Sequence, residues 1–152
     1  MLHLQSEMPS LDGATAWLNS EPLTPGALRG RPVLVEFWAL SCPICRETMP
    51  KVRAWRERFE PRGLQFVGVH TPLVQEDTDL ESVKNAVREH GLDFPQAVDS
   101  EGRMAAAFET RYTPAFYLFG GEGRLRHYRA GAQVEPYVPD AIERLLEEEG
   151  GH

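Results

Sequence analysis

Between Val33 and Phe59 the spacing of the apolar residues changes period once, and two cysteines mark the change. Val33-Leu34-Val35-Glu36-Phe37-Trp38 is short, β-branched and aromatic, and it opens directly after Arg31-Pro32. A run that is apolar on both of its sides predicts a strand in the interior of a sheet. After Cys42, the residues Cys45, Met49, Val52, Trp55 and Phe59 step by four, three, three and four, which is one face of a helix. Arg46, Lys51, Arg53, Arg56 and Arg58 fill the solvated positions, and Pro61-Arg62-Gly63 ends the helix. A buried strand that runs straight into an amphipathic helix has to lay that helix over the sheet, so the chain falls in the α/β class.

The remaining pattern agrees. Residues 64–69 read as a second interior strand, and residues 79–90 as a helix carrying Leu80, Val83 and Val87 and closed by Gly91. Residues 94–98 predict a short strand and residues 103–109, with three alanines, a short helix. Residues 115–119 and 125–128 flank Gly120-Gly121-Glu122-Gly123, the signature of a hairpin. A last helix is expected over 138–149, followed by a frayed tail at 150–152. Residues 1–32, rich in Pro, Gly and Ser, read as an irregular segment with one amphipathic piece around Ala14–Leu18. The expected architecture is a mixed sheet with helices on both faces, in one domain spanning 1–152 with its core over 33–149.

Composition narrows the function classes. With 16 Lys and Arg against 23 Asp and Glu, the chain carries a net charge of −7, which disfavours nucleic acid and anionic membranes as partners. Its longest apolar stretch, 33–40, contains Glu36 and falls far short of the roughly 20 residues that span a bilayer. The amino terminus lacks a basic segment followed by an apolar run, so the expectation is a cytoplasmic protein. An export signal already removed would leave the same terminus and make it extracytoplasmic. No cofactor is implied, and the expected state is a monomer.

Cys42-Pro43-Ile44-Cys45 stands where the strand gives way to the helix. A sulfur at a helix start meets unpaired backbone N–H groups and the positive end of the helix dipole. Both favour thiolate over thiol and lower the pKa below the free value of about 8.5. Cys45 lies on the same side one turn later and can close a disulfide with Cys42, which is what two-electron dithiol exchange needs. Pro43 suits the first turn because it has no N–H to leave unsatisfied. Half of a zinc site is the competing reading. It would need two further ligands, and the histidines at 3, 70, 90, 127 and 152 show no ligand spacing. Glu36, six residues before Cys42, is a carboxylate inside a buried strand, expensive unless paired, protonated or functional. Burial should raise its pKa and make it a proton acceptor for Cys45; the alternative is an edge strand with Glu36 in water. Thr113-Pro114 follows a helix and precedes a strand, where a proline belongs at the strand start or in a turn. The residues alone favour a trans bond there. Such a turn would leave the Thr113 backbone free to pair with an incoming strand.

Trp38-Ala39, Cys42-Pro43-Ile44-Cys45, Pro50 and Thr113-Pro114 together resemble the thioredoxin superfamily. Within it, WLNSEPLTPGALRGRPVLVEFWALSCPICRETMP followed by FVGVHTP resembles the TlpA/ResA-like thiol-disulfide oxidoreductases, and most of all the thioredoxin-like domain of DipZ-type proteins. The resemblance implies a central sheet of four or five strands with an inserted strand-helix element. It implies Cys42 as the attacking thiol, Cys45 as the resolving thiol and Thr113-Pro114 as a cis-proline loop. The substrate-contacting set it suggests is Thr113, Pro114, Trp38, Pro43 and Ile44. Its partners would be protein thiols and disulfides, with a redox partner that reduces or oxidises the pair. Ser41 stands where ordinary thioredoxins carry tryptophan, and the relatives this resemblance points to act outside the cytoplasm.

Other residues read more plainly. His70-Thr71-Pro72 follows a buried strand, and His70 is either a loop histidine or a residue that tunes the thiolate. Arg46 reads as an exposed helix arginine or as one that lowers a thiolate pKa, Phe37 and Trp38 as core or wall of the site, and Trp17 and Trp55 as packing residues. Three functions compete. The first is thiol-disulfide exchange through Cys42 and Cys45. The second is a peroxiredoxin-like thiol peroxidase, which would present Thr or Ser three residues before its cysteine, where this chain has Ala39. The third is a non-catalytic binding module that holds a partner, such as haem or an apocytochrome, around Thr113. Loss of both cysteines separates that last reading from catalysis.

Overall fold

The central strand is β2 (Val33–Trp38), and all six of its residues are buried. The structure, a computed structural model, describes residues 2–150. β2 pairs in parallel with β3 (Gln65–His70) and antiparallel with β5 (Ala115–Phe119). β4 (Gln96–Val98) extends the parallel side, β1 (Ala16–Leu18) closes that edge antiparallel, and β6 (Leu125–Ala130) closes the other. The resulting six-stranded sheet has the order β1-β4-β3-β2-β5-β6.

Alternation along β2 divides the core in two. Leu34 and Trp38 face a layer containing Cys42, Cys45, Met49, Val52, Trp55 and Phe59 from α2 (Pro43–Phe59). Val83 and Val87 of α3 (Leu80–Glu89) and Ile142 and Leu145 of α5 (Tyr137–Glu148) complete that layer. Val33, Val35 and Phe37 face the opposite layer, covered by α1 (Pro25–Leu28), α4 (Arg103–Ala107) and the amino-terminal segment. The thioredoxin-like α/β sandwich read from the sequence is the fold found.

The helix ends follow local chemistry. Cys42 caps α2, and Pro43 occupies its first turn. A short 3-10 turn over Glu60–Arg62 then closes on Gly63, whose φ of 103° is left-handed and suits glycine. The Leu64 N–H donates back to the Phe59 carbonyl at 3.2 Å, turning the chain into β3.

The amino-terminal segment differs from expectation. Residues 1–32 were expected to be irregular, yet β1 adds the sixth strand and α1 makes one turn capped by the Thr24 side chain. A strand of three half-buried residues is too short to show alternation. Its partner β4 lies some eighty residues away, in a register of Ala16 with Val98. Leu2, Met8 and Leu11 of the same segment are buried beneath the sheet. Met1 and residues 151–152, most of the expected frayed tail, lie outside the described residues.

Candidate active site

Three hydrogen bonds pin the turn from β2 into α2. The Thr71 N–H donates to the Trp38 carbonyl at 2.9 Å, the Leu40 N–H to His70 Nε2 at 3.1 Å, and the Ser41 hydroxyl to Asp77 Oδ2 at 2.7 Å. Cys42 and Cys45 follow, joined as a disulfide with Cα atoms 5.2 Å apart. The Cys45 N–H points at Cys42 Sγ from 3.2 Å, so the first sulfur receives an orphan donor of the helix start. Cys42 is 6% exposed and Cys45 0%. Both are buried, and Cys42 is the less deeply buried of the two. Its sulfur is 3.6 Å from the Thr113 carbonyl oxygen, and the Thr113–Pro114 bond is cis. Glu135–Pro136 is a second cis bond.

Glu36 lies at the middle of β2 on the face toward α2, between Leu34 and Trp38. Burial raises its carboxyl from 4.5 to about 8, because a low-dielectric layer disfavours the charged form. Its Oε2 finds no partner among the protein atoms. The edge-strand alternative is thereby excluded, since strands flank β2 on both sides.

The proposed substrate contacts divide. Pro43, Ile44 and Thr113 reach the surface around Cys42, while Pro114 is buried behind it. Trp38 does not belong with them. It is 1% exposed, and its indole N–H donates inward to Gln96 Oε1 at 2.9 Å. It forms a wall beneath the disulfide rather than a contact surface, because strand alternation turns it into the core with Glu36.

Asp77, Gln96 and Tyr112 carried no signal in the sequence, while His70 takes the place of a structural residue. Asp77, buried, accepts from the Ser41 hydroxyl and from the N–H groups of Leu73 at 2.9 Å and Val74 at 3.4 Å. Burial pushes its carboxyl up, but these donors outweigh burial and hold it below the usual carboxylate range. His70 is buried edge-on against Trp38, and desolvation lowers its pKa to about 4, so it stays neutral and accepts the Leu40 N–H. It holds the turn; its contact is with the backbone before the cysteines. Gln96 is buried across the sheet from Glu36. An Asp in a short 3-10 turn (Gln75–Thr78) and a Gln in a short strand look like surface residues until the distant chain packed over them is known. Tyr112, 68% exposed, stands beside the cis-proline turn. Arg46 is on the solvated side of α2, and Trp55 packs in the core.

The arrangement offers a sulfur that caps the helix and keeps slight exposure, a fully buried sulfur bonded to it and a carboxyl with an elevated pKa in the same layer. Ala39, three residues before Cys42 and fully buried, supplies no hydroxyl to bind a peroxide. Residues 6–128 match the AhpC/TSA family. The thiol-disulfide oxidoreductase YkuV of Bacillus subtilis is 36% identical over 147 residues, covering 97% of this chain and 99% of that protein. Protein DipZ of Mycobacterium tuberculosis is 35% identical over 141 residues, which is 91% of this chain and 20% of DipZ. The solution structure of a thioredoxin-like protein in its oxidised form superposes with a TM-score of 0.88 at 38% identity, covering 97% of this chain and 99% of the other.

Proposed function

The chain belongs to the AhpC/TSA family and is a thiol-disulfide oxidoreductase of thioredoxin fold, and we propose that Cys42 is its attacking sulfur, Cys45 its resolving sulfur and Glu36 its internal proton acceptor. The observation that carries this assignment is the asymmetry of the pair. Cys42 keeps 6% of its surface exposed and takes the Cys45 N–H at 3.2 Å, whereas Cys45 is fully buried.

In the reducing direction, the Cys42 thiolate attacks one sulfur of a substrate disulfide. A Cys42–substrate bond forms, and the other substrate sulfur leaves and takes up a proton. Cys45 then gives its proton to the Glu36 carboxylate and attacks Cys42 Sγ. The second substrate sulfur is released, and the Cys42–Cys45 disulfide remains. Two electrons pass to the substrate. In the oxidising direction a substrate thiolate attacks Cys42, Cys45 leaves as the thiolate, and protonated Glu36 returns the proton. A carboxyl with a pKa near 8 suits both directions, since it changes state close to neutral pH.

Thr113 is the substrate-binding backbone in this reading. Its carbonyl lies beside Cys42 Sγ, and an extended segment carrying the reacting sulfur would run along the turn, bordered by Pro43 and Ile44. The substrates are protein thiols and disulfides, and a second redox protein resets the pair. No helix among the described residues is long and apolar enough to cross a membrane.

Cys42→Ser is expected to abolish reduction of insulin disulfides. Cys45→Ser is expected to accumulate mixed disulfides that reductant releases, seen by mass spectrometry. A Cys42→Ser protein that still reduces insulin overturns the assignment.

A further inference from the structure

Glu36, Gly68 and Gln96 stand side by side on one face of the sheet. Glu36 pairs with Gly68 across β2 and β3, and Gly68 pairs with Gln96 across β3 and β4. All three turn toward α2, because the residues two positions away on the same strands, Leu34 and Trp38, Phe66, and Val98, lie in the layer that holds both cysteines. Glycine at 68 is what permits this row. A Cβ there would collide with the side-chain amide of Gln96, so that amide lies over Gly68, on the Glu36 side of its own strand.

Trp38 fixes which end of the amide is left over. An indole N–H only donates, so the Gln96 atom it meets at 2.9 Å is Oε1. Nε2, with two N–H groups, is buried and has no partner among the protein atoms. The same holds for Glu36 Oε2 and Trp55 Nε1, and these are the buried side-chain atoms without a partner among the described residues. Trp55 belongs to the same neighbourhood, packed edge-on at 5.5 Å against Phe116, which pairs with Glu36 from β5. Two donors and one carboxylate oxygen are the complement of a single water, which accepts two hydrogen bonds and donates to a third group.

We propose that Gln96 is a positioning residue for Glu36: with Trp55 Nε1 it holds a buried water that donates to the Glu36 carboxylate across Gly68. This rests on the reading of Glu36 as proton acceptor for Cys45. Both lone pairs of the water are occupied by the N–H groups of Gln96 and Trp55. It therefore serves the carboxylate as a donor and has no lone pair left for a protonated Oε2. The site favours ionised Glu36 against burial, and Gln96 sets the pH at which Glu36 takes and yields its proton. The titratable groups facing Glu36 are Cys45 from α2 and His70 from β3, the latter held neutral. β4 and β5 present Val98, Phe116 and Leu118 beside it, and α3 and α5 contribute Val83, Val87, Val138, Ile142 and Leu145 to the layer. Among the described residues, burial is the cause of the Glu36 shift and no charged side chain contributes to it.

The test follows the Glu36 carboxyl carbon by NMR as a function of pH in the full oxidised chain, where neither cysteine titrates. Gln96→Met keeps the side-chain length and loses both N–H donors. It is expected to move the Glu36 midpoint upward by about half a unit or more, a roughly threefold change in proton affinity. Trp55→Phe keeps an aromatic ring on Phe116, loses one donor, and is expected to move the midpoint the same way; it carries the test if Gln96→Met does not fold. A high-resolution crystal structure is expected to show a water bonded to Glu36 Oε2 and Gln96 Nε2. Folded variants with the wild-type midpoint overturn the proposal, whatever Glu36 does in exchange. A Glu36→Gln enzyme whose pH–rate profile is unaltered overturns instead the proton-acceptor role, and the two failures are read in separate experiments.

Discussion

Glu36 couples the stability of the chain to pH in a direction opposite to that of most carboxylates. Its folded pKa of about 8 exceeds the ordinary 4.5, so between those values the folded chain holds a proton that the unfolded chain has released. Stability therefore falls as pH rises through this range. His70 works the other way. Its pKa is lowered from 6.5 to about 4, so its contribution is lost on acidification and is complete above about pH 6.5. Glu36 changes state between pH 6.5 and 8, where His70 is already neutral. The oxidised protein is expected to lose about 1.5 kcal/mol of stability across that window, and Glu36→Gln to lose almost none. Urea unfolding at three pH values measures both slopes, and equal slopes would remove the buried, protonated Glu36 from the account.

The loop between β3 and α3 is tied to the cysteine turn through one carboxylate. Asp77 takes the Ser41 hydroxyl and the N–H groups of Leu73 and Val74, and in doing so it sets exposed Leu73 and Val74 beside the turn that carries Cys42. Removing the acceptor leaves several donors unpaired in a partly buried place, whereas removing one donor leaves the other two bonded. Asp77→Ala is expected to cost about 2 kcal/mol in urea unfolding and Ser41→Ala no more than about 1 kcal/mol. Equal losses would mean that Ser41 is the only partner that matters. The contrast between Asp77 and Cys42 also shows which elements a sequence displays. The strand over 33–38, the helix after Cys42 and the buried position of Glu36 follow from residues adjacent in the chain, where period and burial are read directly. β1, Asp77 and Gln96 take their roles from partners some thirty to eighty residues away. Register across strands decides those partners, and no local pattern encodes it. Of the two places open to Trp38, substrate contact or the wall of the site, strand alternation selects the wall by turning the side chain inward.

At the scale of the whole molecule, the amino-terminal segment is part of the fold rather than an appendage to a core that begins at Val33. Its β1 completes one sheet edge, and its Leu2, Met8 and Leu11 share the lower layer with Phe37, Tyr117, Met104 and Phe108. The layer beneath the sheet thus draws on residues from Leu2 to Leu125, while the layer above it houses the disulfide and Glu36. A sheet whose faces are both buried needs both covers, and the short helices α1 and α4 leave much of the lower face to this segment. Leu11 is 1% exposed, and truncating a buried leucine costs about 2–4 kcal/mol through lost transfer energy and the cavity left behind. Leu11→Ala is therefore expected to lower stability by that amount, in a single transition reported alike by tryptophan fluorescence and far-ultraviolet circular dichroism. A loss below about 0.5 kcal/mol, the size of an ordinary surface change, would mean that the segment unfolds independently and that the cooperative unit starts near Val33.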